Sequence, residues 1–112
     1  EAFALADNLG LDRQAMYDVV STSSGSSWSM NTYCPAEGIG PISPSDNEYA
    51  PGFASDLMLK DLRLAQQAAN DVKANTPMGK AAKEIYETFI EDGNGSGLDF
   101  SAILPWIKNT NQ

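Results

Sequence analysis

Apolar positions in this chain of 112 residues recur every three or four residues, the spacing of an amphipathic helix. The clearest run is Met78, Ala81, Ala82, Ile85, Tyr86, Phe89 and Ile90. It opens at Thr76-Pro77, a residue favoured as N-cap followed by a ring suited to the first helical position. It ends near Gly93. Upstream, the spacing predicts a helix over 55–73. Leu57, Met58, Leu62, Leu64, Ala65, Ala68, Ala69 and Val72 read as one broad apolar face, with Asp61 in its middle and Lys60 on its flank. Asp56 lies four residues before Lys60, the favourable order for a helical ion pair, and near the helix start, where the macrodipole suits an anion.

The remaining elements are shorter. Residues 2–9 read as the tail of a helix stopped by Gly10. Asp12 is placed to cap a second helix with Met16, Val19 and Val20 as its apolar positions. The polar run 21–27 leads into a short capped helix bearing Trp28, Met30 and Tyr33. That aromatic pair is suited to core packing or to lining a pocket with a polar rim. Pro35, Gly38, Gly40, Pro41, Pro44, Pro51 and Gly52 predict a long irregular loop over 34–51. A last helix is expected to open around Asp99 and run through Ile103, Leu104, Trp106 and Ile107, interrupted or kinked at Pro105. No segment alternates as a strand does. The expected fold is all-α, a helical bundle with one long irregular loop.

Asp61 changes this picture. A carboxylate inside an apolar stripe costs several kcal/mol unless it is paired or hydrogen-bonded. Lys60-Asp61 is therefore either a paired structural element or the protein half of a binding site. Composition narrows the partners. Net charge is −8 and the isoelectric point about 4.2, which argues against a nucleic-acid footprint and an anionic membrane surface. No apolar run reaches the ~20 residues of a membrane span. The single cysteine, Cys34, excludes an internal disulfide and fits a reducing, cytoplasmic setting. With no histidine in the chain, His-based triads and most zinc sites are excluded.

Asp92-Gly93-Asn94-Gly95-Ser96-Gly97 imitates the start of a calcium loop, with oxygen ligands at positions one, three and five and glycine at six. The match then fails, because position twelve is Ile103 and position eight is Asp99. A glycine-rich helix terminus followed by an Asp N-cap accounts for the same letters. The chain is expected to contain no metal site.

Several pieces in order resemble one family: Leu9-Gly10-Leu11-Asp12, Ser23-Ser24-Gly25-Ser26-Ser27-Trp28, Pro51-Gly52-Phe53, Leu59-Lys60-Asp61-Leu62 with Leu64-Ala65, and Asp99-Phe100-Ser101-Ala102. Together they resemble the C-terminal domain of the 3-hydroxyisobutyrate dehydrogenases, in the β-hydroxyacid dehydrogenase family. The resemblance implies an all-helical fold like the 6-phosphogluconate dehydrogenase C-terminal domain, with 1–112 as one substrate and dimerisation domain. It also implies an N-terminal Rossmann domain as partner, a homo-oligomer (dimer or tetramer), NAD or NADP as cofactor, and a small 3-hydroxy acid as substrate. The implied activity oxidises 3-hydroxyisobutyrate to methylmalonate semialdehyde in valine catabolism. Lys60 is then expected near the nicotinamide, with Trp28, Tyr33, Phe53 and Asp61 lining the substrate pocket. The family's catalytic lysine, dinucleotide glycines and serine-glycine-glycine loop fall upstream of Glu1, so this chain alone is expected to be inactive. Glu1-Ala2-Phe3-Ala4-Leu5-Ala6 reads as uncapped helix interior, as expected of a C-terminal fragment. The alternative is a free-standing helical calcium-binding or protein-interaction module.

Overall fold

The computed structural model describes residues 1–110. Among them all regular elements are helical: α1 (Ala2–Asn8), α2 (Arg13–Val20), α3 (Trp28–Asn31), α4 (Ser55–Asp71), α5 (Pro77–Glu91) and α6 (Ile103–Thr110), with 3-10 turns at Pro44–Asn47 and Phe100–Ala102. Ala54 and Asp99 form an isolated antiparallel bridge. The chain divides into two compact units. One comprises Glu1–Ala50 and the segment from Ser101 onward, the other Pro51–Phe100.

In the first unit α1 packs against α2 and α6, and α2 against α3. The core is Phe3, Cys34, Ala36, Ile39 and Leu104, with Ala4, Met16, Tyr17 and Met30 against it. Three of those five core residues come from the long loop, which is irregular but not loose. A capping box at Ser43 and Asp46 opens its 3-10 turn. The hydroxyls of Ser43 and Ser45 donate to the carbonyl of Cys34 at 2.8 and 2.9 Å, and Tyr49 donates to that of Pro35 at 2.8 Å. These bonds satisfy carbonyls that burial would otherwise orphan. Asp12 caps α2 through the Ala15 amide at 2.9 Å, and Gly10 turns the chain after α1 at φ +74°.

In the second unit α4 packs on α5. Leu59 and Ala69 of α4 are buried, as is Phe89 of α5. Phe89 closes against Gly95, where an added Cβ would meet its ring at 2.6 Å.

Three expectations are corrected. The apolar residues of α4 do not share one face. At 100° per residue, Leu59, Leu62 and Ala69 lie opposite Leu57, Asp61, Leu64 and Ala68; the first group is packed or half-buried and the second exposed. Pro105 does not interrupt α6. It is the third residue of that helix, in the first turn, where the amides have no intrahelical acceptor. The last α-helix opens later than expected, at Ile103, because a 3-10 turn over Phe100–Ala102 stands between it and Asp99.

Candidate functional site

Lys60 and Asp61 project from the open side of α4. Nζ and Oδ1 are 3.2 Å apart, with the side chains 59% and 54% exposed. An exposed pair of this kind is worth about 0–1 kcal/mol. It holds the ammonium near the carboxylate while leaving both free to exchange partners. Leu57 and Leu64, one turn to either side, are also exposed, so the charged pair sits in an apolar strip. Asp61 therefore carries no burial cost.

The entry to α4 is built differently from an ordinary helix start. Its N-cap is Ala54, which offers no side-chain acceptor. Instead Oδ1 of Asp99 accepts from the amides of Gly52 and Phe53 at 3.0 and 2.9 Å. The Ser55 amide donates to the carbonyl of Leu98 at 2.8 Å, and the Phe100 amide to that of Phe53 at 2.8 Å. The Phe53 ring meets Phe100 edge-on, centroids 5.7 Å apart. Asp56 accepts from the Ser96 hydroxyl and the Gly97 amide, each at 2.8 Å. The Gly97 amide, with the Ser96 hydroxyl behind it, holds the Asp56 carboxyl below the usual carboxylate range. Letters that imitate a calcium loop thus serve to tie the 93–99 segment to α4. Tyr86 donates to the Phe100 carbonyl at 2.9 Å; burial, reinforced by the Asp99 charge, pushes its phenol well above the ordinary value.

Trp28 and Tyr33 belong to the other unit. Ser27 caps α3, which Trp28 opens and Tyr33 follows, through the Met30 amide at 3.1 Å. The rings stack with centroids 4.9 Å apart, and Trp28 is 61% exposed, so the pair is a surface platform. The structure thus joins Trp28 with Tyr33 and Lys60 with Asp61, and clasps Phe53 to the loop before the second 3-10 turn. A cavity of about 330 Å³ beside α2, lined by Leu11, Asp12, Ala15, Met16, Val19 and Val20, includes none of the five. Asp99 is the residue that periodicity missed. A lone aspartate before a helix reads as a cap, and only its distance in sequence from Gly52 hides the pairing.

The family model described as "NAD-binding of NADP-dependent 3-hydroxyisobutyrate dehydrogenase" matches residues 1–107. The chain is 43% identical to the probable 3-hydroxyisobutyrate dehydrogenase of Mycobacterium tuberculosis, over 96% of this chain and 36% of that one. For the 3-hydroxyisobutyrate dehydrogenase of Pseudomonas aeruginosa the figures are 42%, 92% and 35%, and for the human mitochondrial one 38%, 96% and 32%. A solved structure of the M. tuberculosis 3-hydroxyisobutyrate dehydrogenase with L-serine matches at TM-score 0.88 and 42% identity, over 95% of this chain and 36% of that one. The chain thus spans about a third of the length of these relatives. An all-helical fold and a match along nearly its whole length agree: the chain belongs to the 3-hydroxyisobutyrate dehydrogenase family, as the part that the family's NAD-binding model describes.

Proposed function

We propose that this chain is the C-terminal substrate and dimerisation domain of an NAD(P)-dependent 3-hydroxy acid dehydrogenase, acting on 3-hydroxyisobutyrate in valine catabolism. The observation that carries the reading is Lys60, an exposed ammonium in the apolar strip of α4, within a chain matching an NAD-binding family over 1–107. A donor-only cation bordered by leucines fits the nicotinamide end of a dinucleotide, which offers a carboxamide oxygen and a flat ring. The bound cofactor would take the hydride from the hydroxyl-bearing carbon. A lysine outside this chain would handle the hydroxyl proton. Lys60 binds and orients the cofactor, and Asp61 and Phe53 line the substrate pocket. That a solved relative carries L-serine, itself an acid with a 3-hydroxyl, supports the substrate class.

An N-terminal Rossmann domain and a second copy of the chain are the proposed partners, supported by the exposed Leu5, Leu9, Leu57 and Leu64. The proposed setting is the cytoplasm, supported by the free, buried thiol of Cys34; relatives named mitochondrial place the family in organelles as well. None of the described helices is long and apolar enough to cross a membrane. The test is an assay of the full-length enzyme on a panel of 3-hydroxy acids with NAD⁺ and NADP⁺. Reduction of one dinucleotide by 3-hydroxyisobutyrate is expected; no turnover of any 3-hydroxy acid would overturn the assignment.

A further inference from the structure

We propose that Asp99 is a positioning residue for the dehydrogenase site: its buried carboxylate sets the Phe53 ring and the first turn of the helix that carries Lys60. The inference rests on the reading that Phe53 and Lys60 meet substrate and cofactor.

The argument begins with burial. Asp99 is 0% exposed, and a carboxylate is retained in such a place only where its acceptors are used. Oδ1 receives two of the amides that lead into α4, those of Gly52 and Phe53. The Asp99 carbonyl accepts from the Ser55 hydroxyl at 3.2 Å, and the residue bridges Ala54 in antiparallel fashion. From Gly52 to Ser55, every residue leading into α4 is therefore tied to Asp99 or to a residue beside it. Asp99 fixes the Phe53 backbone, while Phe100 receives the ring edge-on.

A capping side chain would satisfy one or two amides of α4 itself. This clasp instead fixes the aromatic residue before the helix and the direction in which the helix leaves. Lys60 follows Ser55 by little more than one turn, so a change in that direction carries the ammonium with it. Misplacement of a positioning element by about 1 Å is enough to cost catalysis.

The experiment uses the full-length enzyme and compares Asp99→Asn, Phe100→Leu and Lys60→Ala. Asp99→Asn keeps the side-chain size and one carbonyl oxygen while removing the charge. It should raise KM for the 3-hydroxy acid about ten-fold, with kcat changed about two-fold at most, and speed hydrogen exchange at Gly52 and Phe53 about ten-fold. Phe100→Leu leaves the carboxylate in place and loosens only the ring, and should raise the same KM about three-fold. Faster exchange with unchanged kinetics in Asp99→Asn, beside an impaired Lys60→Ala, would overturn the positioning role and leave the dehydrogenase reading standing. Unchanged kinetics in all three variants would overturn both. If Asp99→Asn does not fold, Phe100→Leu decides: a raised KM supports the proposal, and an unaltered KM overturns it.

Discussion

Asp7 joins two cations from different helices of the first unit. Arg13 reaches its two oxygens at 2.9 and 2.6 Å, and Lys108 of α6 lies 2.9 Å away. The Arg13 hydrogen bonds hold its carboxyl well below the usual carboxylate range; partial burial opposes this and Lys108 adds to it. Asp46 is lowered by the amides of Gly38 and Ser43, and Asp56 by its bonds to Gly97 and Ser96. A carboxyl lowered in the folded state contributes stability above its unfolded pKa of about 4, and that contribution is lost as pH falls through the folded value. The urea midpoint should therefore hold from pH 7 to 5 and drop below about pH 4. Asp7→Asn leaves two cations without a counter-charge and should cost about 1.5–3 kcal/mol at pH 7 while flattening the acid slope, by urea unfolding at both pH values. None of these partners was legible in the sequence. Arg13 lies six residues from Asp7, a spacing that no helical rule pairs.

At the scale of elements, the sequence shows where helices begin more clearly than which way they face. Asp12, the polar run 21–27 and Thr76-Pro77 mark three starts, because capping is local chemistry. Thr76 nevertheless makes no backbone cap; its hydroxyl donates to Gln66 at 3.2 Å. The facing of α4 is not legible in the sequence because apolar residues occupy both of its sides, and periodicity alone does not tell a packed stripe from one left open. The prolines and glycines of the loop show that it is irregular, but its supply of Cys34, Ala36 and Ile39 to the core follows no period. The glycines after α5 have a packing reason. Gly95 admits the buried Phe89 ring where a Cβ would stand 2.6 Å from it. Gly95→Ala should cost about 1–3 kcal/mol by the same unfolding assay; an unchanged midpoint would mean that the ring has room to turn aside.

For the whole molecule, family membership was legible because several short motifs keep their order along the chain, and it reaches residue 107. The Lys60–Asp61 pair was legible because the two residues are adjacent in sequence and pair in space. The Asp99 clasp on Phe53 was not, since its halves lie 46 residues apart. The most direct test of the central claim is steady-state kinetics of Lys60→Ala in the full-length enzyme, beside its thermal melt. The account predicts a KM for NAD(P) raised about ten-fold or more, with a melting temperature within about 2 °C of wild type. Wild-type KM and kcat for both cofactor and 3-hydroxy acid would contradict it.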